Sequence, residues 1–332
     1  MKMPARMSAR LRQIALATFV TAFMQSSAYA AEDQYPSRPV QIIVPFSPGG
    51  STDILARPIA AKLQEIFGQP FVIENRGGAG GNIGATAVAH ATPDGYTIMM
   101  TTSGVAVVNK SLYANLNYDP ETDLVPISIV ASLPNMLVVA KKSPFNSVRD
   151  LINGAKAEPG HLTFGSGGVG TSNHLAGELL KYVEKIDIIH VPYRGGGPAV
   201  IAALSGEVSM LFATIPTAIG QVRAGQLKAL AVTSRQRSSA APDIPTMAEA
   251  GVKDFAMEIW IGALAPKGTP PEITAKLSKA IAKVLQEPDI LARLKTEGYE
   301  PVASTPEEMG KQIKTESALW KKVLGAAGIR AQ

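Results

Sequence analysis

Residues 40–67 read VQIIVPFSPGGSTDILARPIAAKLQEIF, a stretch in which an apolar run, a loop and a periodic segment follow one another. Val40–Val44 is short and apolar, which predicts a β-strand. From Ile54 to Phe67 the apolar residues recur three or four positions apart, which predicts a helix that ends at Gly68. A strand, a glycine-rich loop and a helix in this order are typical of parallel α/β proteins.

The same alternation continues along the chain and predicts an α/β fold. Thr269 and Thr305 are each followed by proline and by glutamate at the third position, which predicts that each threonine is the N-cap of a helix. No linker-like run separates two halves, so we expect two α/β lobes that share strands and cross over. Further predicted strands cover residues 71–73, 96–101, 136–140, 162–164, 186–191, 208–213 and 227–232, and further predicted helices cover 148–157, 173–182 and 199–204, with a small helix that ends at His90.

The basic charge of the chain lies in its first thirty residues. The formal net charge is +5, and Lys2, Arg6, Arg10 and Arg12 carry four of these charges, so the rest of the chain carries only +1. An 11-residue apolar core follows, too short to span a bilayer, and then a small-x-small site that ends at Ala30. We therefore predict a cleaved signal peptide over residues 1–30, an exported mature protein, and no nucleic-acid partner.

Two glycine-rich loops, Val44–Asp53 and Thr163–His174, each connect a predicted strand to a predicted helix. In parallel sheets ligands bind beyond the carboxyl ends of strands, where a helix N-terminus offers N–H groups and a partial positive charge to an anion. Two such loops facing each other would hold a carboxylate. The alternative is that Ser51, Thr52 and Ser172 only cap their helices. Asp53 either caps its helix or accepts a hydrogen bond from the ligand.

Other chemistries find little support in the sequence. Gly165-x-Gly167-x-x-Gly170 matches a dinucleotide fingerprint, but the next strand ends at Arg194 without the acid that binds ribose. The chain has no cysteine and four histidines, and none of the hydrolase or metal-ligand motifs is present. We expect no catalytic residue, no metal and no cofactor. His174 either donates to a ligand or packs at the start of its helix. We expect His90, His161 and His190 to be structural. Arg194 is predicted to be solvated and Trp260 to lie in the core.

Short motifs along the chain together resemble one family, the Bug family of periplasmic solute-binding proteins. These are the receptors of tripartite tricarboxylate transporters. The resemblance covers essentially the whole chain beyond the leader. Its motifs are Tyr35-Pro36-x-Arg38-Pro39, Val44-Pro45-Phe46-x-Pro48-Gly49-Gly50-x-x-Asp53, Glu74–Gly84, Pro93–Thr97, Tyr118–Pro120, Gly165–Thr171, His174-Leu175, Val191-Pro192-Tyr193-x-Gly195, Trp260-x-Gly262 and Ala265–Pro270.

The resemblance implies a type II periplasmic-binding-protein fold, with two lobes, crossover hinge strands and a ligand cleft between them. Domain I would be residues 31–131 plus 257–332, and domain II residues 132–256. A small carboxylate would be held between the two loops, partly through waters, and delivered to membrane permease subunits by a monomeric receptor. The implied ligand-binding residues are Phe46, Ser47, Gly50, Ser51, Thr52 and Asp53 on one side, Gly168, Gly170, Thr171, Ser172 and His174 on the other, with Ser103 and Thr214 as weaker candidates.

Two alternatives from other classes stay open at this stage. One is a secreted enzyme that acts on a carboxylate or an ester, with His174 as its base. The other is a ligand-sensing partner of a signalling protein. The ligand itself is equally open, because dicarboxylates, tricarboxylates, acidic amino acids and aromatic carboxylates all fit a carboxylate grip.

Overall fold

The computed structural model describes residues 35–253 and 255–327. The predicted signal peptide, residues 1–30, lies outside the described residues. Within them the chain forms one mixed β-sheet flanked by helices. The strands are β1 Val40–Val44, β2 Phe71–Asn75, β3 Thr97–Thr102, β4 Leu124–Ala140, β5 Thr163–Ser166, β6 Ile189–Pro192, β7 Met210–Thr214, β8 Leu227–Val232, β9 Glu258–Pro266 and β10 Glu300–Pro301. Their order in the sheet is β2-β1-β3-β9-β4-β7-β5-β6, and β8 and β10 also pair with β4.

Two parts of this sheet form two halves of the fold. In the first lobe β1 lies between β2 and β3, all parallel, and β9 runs antiparallel to β3. In the second lobe β5 lies parallel between β6 and β7, while β8 pairs antiparallel with β4. Each lobe therefore has the predicted α/β arrangement, in which the parallel strands end at the same edge of the sheet.

The long strand β4 belongs to both lobes. It pairs with β9 from Leu124 to Pro134 and with β7 from Asn135 onward. Beside this switch the Thr233 N–H donates to the Asn135 carbonyl at 2.9 Å, and the Met257 N–H donates to the Thr233 carbonyl at 2.8 Å. Three segments thus cross between the lobes side by side, as the predicted crossover requires.

The predicted helices occur in the predicted order, with shifts at their ends, and the further helices Asn109–Leu112 and Ile215–Arg223 were not predicted. The first begins at Ser51, three residues before the predicted start, and ends at Gly68 in the left-handed conformation. The predicted cap at Thr269 is wrong: Pro270 is the N-cap, and the Thr269 hydroxyl donates to the Pro266 carbonyl instead. The helices are α1 Ser51–Phe67, α2 Asn82–Ala89, α3 Asn109–Leu112, α4 Val148–Ala157, α5 Ser172–Glu184, α6 Gly196–Ser205, α7 Ile215–Arg223, α8 Pro271–Val284, α9 Pro288–Glu297 and α10 Pro306–Ala327.

Other local predictions are confirmed. Thr305 forms a capping box, because its hydroxyl accepts from the Glu308 N–H at 3.2 Å and its own N–H donates to the Glu308 carboxylate at 2.8 Å. Trp260 is core, 4% exposed, and its indole N–H donates to Glu316 at 2.9 Å. Arg194 is exposed. The contact between Trp260 and Glu316 joins β9 to α10.

Candidate binding cleft

A small buried cavity lies between the lobes, where the strands β1, β3, β5 and β7 end. Its volume is about 30 Å³, room for roughly two water molecules. Both lobes contribute to its wall, and Ile259 comes from a crossing segment. The residues that line it are Phe46, Gly50, Ser51, Thr52, Thr102, Gly167, Thr171, Ser172, Asn173, Gly196, Thr214 and Ile259.

Four helices begin at this cavity. The N-cap residues of α1, α5, α6 and α7 are Gly50, Thr171, Gly195 and Thr214, and none of these four residues accepts a hydrogen bond from the N–H groups of its helix through a side chain. The first N–H groups of a helix have no partner inside the helix and carry a partial positive charge. None of the lining residues is charged. An anion in this cleft would therefore be held by N–H groups and hydroxyls rather than by lysine or arginine.

Two hydroxyl groups of the first lobe are buried in this wall. Thr52 is 1% exposed and Thr102 is 9% exposed, and the Oγ1 atoms of both find no hydrogen-bond partner among the described residues. A buried hydroxyl without a partner costs free energy, which an acceptor on a bound molecule would recover. Thr102 was missed by sequence analysis, which took its neighbour Ser103; the signal was its place as the last residue of β3.

The first glycine-rich loop is fixed by its own side chains and by the opposite lobe. The Asp53 carboxylate accepts from Gly49 N–H at 3.0 Å, from Arg57 at 2.8 Å and from Asn75 at 3.1 Å. Burial raises the pKa of Asp53, but these hydrogen bonds and the Arg57 charge outweigh it and hold the pKa below its usual value. Across the cleft, the Ser47 N–H and hydroxyl both donate to the Arg194 carbonyl, at 3.3 and 2.5 Å.

The second glycine-rich loop uses its amides internally, which differs from the expectation that it offers them to a ligand. The N–H groups of Gly167, Gly168 and Gly170 donate to Asn173 Oδ1, Ser166 Oγ and His174 Nδ1 at 3.3, 3.0 and 3.3 Å. The donors left toward the cavity on this side are therefore at the helix start rather than in the loop.

Two histidines hold this loop from behind. The rings of His174 and His190 lie 4.3 Å apart, and His190 also stacks on Phe164 at 4.9 Å. His190 Nε2 shares a 2.6 Å hydrogen bond with the Ser166 hydroxyl that accepts from Gly168. Burial lowers the pKa of His174 to about 3 and that of His190 to about 4. The charge of His190 adds to the shift of His174, and the charge of Lys181 makes a smaller contribution to both. Both rings are neutral near pH 7, and His174 accepts through Nδ1 with its proton on Nε2.

This pair should make the protein less stable in mild acid. The unfolded chain takes up protons at histidine below about pH 6.5, whereas the folded chain resists until about pH 3 to 4, so the free energy of unfolding falls as the pH falls through that window. The buried His174 contributes up to about 1.4 kcal/mol per pH unit, and the half-buried His190 contributes less because solvent screens its charge. Urea unfolding between about pH 5 and about pH 7 measures this slope.

The matched variants keep the hydrogen bonds and remove the titration. His174→Asn places an amide oxygen near Nδ1, and His190→Gln places an amide near Nε2, so a flatter pH dependence is expected in each. His161→Gln, at a histidine whose side chain is 73% exposed, is the control and should keep the wild-type slope. An unchanged slope in the double variant would contradict the assignment.

The two lobes also touch beside the cleft. The Tyr113 hydroxyl, from the first lobe, donates to the Val169 carbonyl of the second glycine-rich loop at 2.9 Å. Gly80 lies between them with φ +63°, and a Cβ there would overlap the Val169 oxygen and come 2.5 Å from the Tyr113 hydroxyl. The close approach of the lobes therefore depends on a residue without a side chain.

The structure brings part of the predicted site together. Ser103 lies on an adjoining groove of about 540 Å³, which shares Ser172 and Ile259 with the cavity, and Ser47 contacts the opposite lobe instead of the cavity. The predicted residues that line the cavity are Phe46, Gly50, Ser51, Thr52, Thr171, Ser172 and Thr214; those outside its lining are Ser47, Asp53, Ser103, Gly168, Gly170 and His174; and those that sequence analysis missed are Thr102, Gly167, Asn173, Gly196 and Ile259.

Residues 35–253 and 255–327 contain neither a helix long and apolar enough to cross a membrane nor a cluster of three side chains that could hold a metal ion.

Two α/β lobes joined by crossing strands around a cleft define the class of type II periplasmic binding proteins. The chain belongs to the tripartite tricarboxylate transporter receptor family, whose model matches residues 55–329. Protein BugT of Bordetella pertussis is 39% identical over 305 residues, which cover 92% of this chain and 94% of BugT.

Two solved structures of Rhodopseudomonas palustris proteins share the fold. Rpa4515 with adipate is 39% identical, with a TM-score of 0.86 over 89% of this chain and 99% of that one. MatC with bound malate is 34% identical, with a TM-score of 0.83 over 87% of this chain and 99% of that one. The fold and the family predicted from sequence are thereby confirmed.

Proposed function

We propose that this chain is a periplasmic receptor that binds a small organic carboxylate in the cleft and delivers it to a tripartite membrane transporter. The observation that carries this proposal is the convergence of four uncapped helix N-termini on an uncharged cavity. The buried hydroxyls of Thr52 and Thr102 add two donors to the same wall. Such a set of donors favours an anion without a counter-charged side chain.

The ligands of two relatives support a carboxylate. Rpa4515 is described with adipate and MatC with malate. Both molecules are small dicarboxylates, and both proteins share more than a third of their residues with this chain over most of its length. The proposed contacts are the cavity-lining residues of the predicted set together with Thr102 and the N–H groups of Ser51 and Ser172.

Binding requires the lobes to move. A cavity of about 30 Å³ is smaller than any dicarboxylate, so a ligand enters only when the walls separate. The three crossing segments are where such a motion bends, with domain I as residues 31–131 plus 257–332 and domain II as residues 132–256. A permease would then recognise the closed receptor, a monomer exported after cleavage behind Ala30.

An enzymatic role is less well supported by the geometry. His174, the base considered for such a role, accepts from Gly170 through Nδ1, and burial lowers its pKa to about 3. A group with so low a pKa is a weak general base near neutral pH. The proposed role is therefore binding and delivery rather than catalysis.

A thermal-shift screen tests the proposal. The mature protein is unfolded and refolded to remove any bound ligand, then heated with dicarboxylates, tricarboxylates, aromatic carboxylates and acidic amino acids, each beside its amide. A ligand at 100 times its dissociation constant adds about 2.7 kcal/mol of stability. Stabilisation by an acid but not by its amide is expected. Turnover of an ester, with no shift by any acid, would favour the enzyme instead.

A further inference from the structure

We infer that the side-chain hydroxyls of the second-lobe wall accept hydrogen bonds from the ligand, and that Asn135 and Thr217 impose this polarity from behind the wall. The inference rests on the proposed function and narrows its ligand to carboxylates that also carry a hydroxyl group. It follows from the acceptor to which each side-chain proton of that wall is donated. The side chains concerned are those of Thr171, Ser172, Asn173 and Thr214, all of which line the cavity.

The orientation of two buried amides decides the state of Ser172. The Gly167 N–H donates to Asn173 Oδ1 at 3.3 Å, so the other amide atom of Asn173 is the nitrogen, which can only donate. That nitrogen meets the side chain of Asn135 at 3.4 Å, and the atom it meets must be Oδ1. The Ser172 hydroxyl lies 3.1 Å from the same oxygen and therefore gives its only proton to it.

The amide protons of Asn173 are also used inside the protein. Its Nδ2 donates to the Phe212 carbonyl as well as to Asn135 Oδ1. Asn135 itself is fully buried at the strand switch of β4, and its Nδ2 finds no partner among the described residues. One buried amide, outside the lining, thus takes protons from two residues of the wall.

Thr217 acts on Thr214 in the same way. The Thr217 hydroxyl donates to the Thr214 carbonyl at 2.7 Å, which uses its single proton. In the 3.1 Å contact between the two hydroxyls Thr214 must then be the donor. The Thr171 hydroxyl donates to the Gly168 carbonyl at 2.6 Å. All three hydroxyls of the wall therefore turn lone pairs toward a ligand.

A ligand that complements this wall has a neutral hydrogen-bond donor. A bare carboxylate oxygen facing these hydroxyls would meet lone pairs with no proton between them. An ammonium group could donate, but no acidic residue lines the cavity, and a buried charge without a partner is costly. A hydroxyl group donates without that cost, while the carboxylate of the same molecule faces the helix N-termini and the hydroxyls of Thr52 and Thr102.

Matched ligands test the inference on the refolded mature protein. The probes are succinate, malate and methoxysuccinate, and adipate, 2-hydroxyadipate and 2-methoxyadipate, each titrated calorimetrically. Within a set the molecules differ only in one substituent on the carbon chain. This substituent is a hydrogen atom, a hydroxyl group that donates a hydrogen bond, or a methoxy group that can only accept one. In at least one set the hydroxy acid should bind at least about 10-fold more tightly than both others, because one additional hydrogen bond is formed.

Substitutions of the two residues behind the wall test whether the hydrogen-bond polarity of the wall causes the preference for the hydroxy acid. Thr217→Val frees the Thr214 proton and should reduce the preference for the hydroxy acid several-fold, and Asn135→Leu should do the same through Ser172. Thr296→Val, which removes a similar hydroxyl bond on α9, is the control and should keep the preference.

The outcomes separate the two proposals. Equal binding of parent and hydroxy acid, or binding only by carboxylates without a hydroxyl, overturns the inference and leaves the receptor function standing. A preference that survives in Thr217→Val and in Asn135→Leu also overturns it. If no carboxylate in these sets or in the thermal-shift screen binds, the proposed function fails with it.

Discussion

Gly80→Ala is expected to lower carboxylate affinity by at least about 100-fold, which corresponds to roughly 2.7 kcal/mol. The added methyl group would occupy the place of the Val169 carbonyl oxygen and press on the Tyr113 hydroxyl, so the second glycine-rich loop could not approach the first lobe. Because the cleft holds its ligand only when closed, a wedge at this point penalises the bound state and leaves each lobe intact. Calorimetric titration of the ligand found in the thermal-shift screen measures the effect.

Alanine at a second glycine serves as a control that distinguishes the steric effect of the added methyl group from backbone strain. Gly225 has φ +66°, close to the +63° of Gly80, but a Cβ at Gly225 would meet nothing within 4 Å. Alanine in this left-handed conformation costs about 1 kcal/mol at either position. Gly225→Ala should therefore lose stability and keep its affinity. Equal affinities in the two variants would show that closure does not bring Gly80 against Val169.

The Thr52→Val, Thr102→Val double variant should change stability and affinity in opposite directions. Valine has the shape of threonine, and each substitution removes a buried hydroxyl without a partner, so the free energy of unfolding should rise by about 1 kcal/mol per site. The same substitutions remove two donors to a charged ligand, each worth about 1.5–3 kcal/mol. Affinity should fall by roughly 100-fold or more, as measured by titration beside urea unfolding.

Thr101 supplies the matched control on the same strand. It is fully buried, its Oγ1 also finds no partner among residues 35–253 and 255–327, and it does not line the cavity. Thr101→Val should therefore gain stability and leave affinity unchanged. A double variant at Thr52 and Thr102 that binds as tightly as the wild type would remove these hydroxyls from the site.

The fold was predictable where local pattern and tertiary pairing agree. Val40–Val44 and Leu227–Val232 have the predicted limits, because each is an apolar run bounded by polar or turn residues. The first half of β4 was not predicted. It contains Pro126 and Pro134, which argue against a central strand. The register with β9 shifts directly after Pro126, and Pro134 is the last residue that pairs with β9. Only the partner strand, distant in sequence, makes this segment a strand.

The site was predictable to the level of the two loops and their helix starts. The sequence placed Ser51, Thr52 and Ser172 at the right strand-to-helix junctions, because glycine and hydroxyl residues after a strand mark a strand end, but the structure has all three in the first turn of a helix rather than in the loop. The sequence could not show that the amides of Gly168 and Gly170 are taken by Ser166 and His174, since that depends on how a buried pair of rings packs. Nor could it distinguish Thr102 from its neighbour Ser103, because successive residues of a strand point to opposite faces of the sheet and a shift of one position selects the other side chain.

The passage of β4 and β9 between the lobes also sets the order in which the chain can be completed during synthesis. Met99 of β3 pairs with Leu264 of β9, and the whole second lobe lies between them in sequence. The second lobe can assemble as an almost continuous segment, whereas the first lobe lacks a central strand until nearly the entire chain has been made. Pairing over such a separation is slow. A chain built this way stays incompletely folded for most of its synthesis, the condition in which a protein is most easily threaded through a narrow channel.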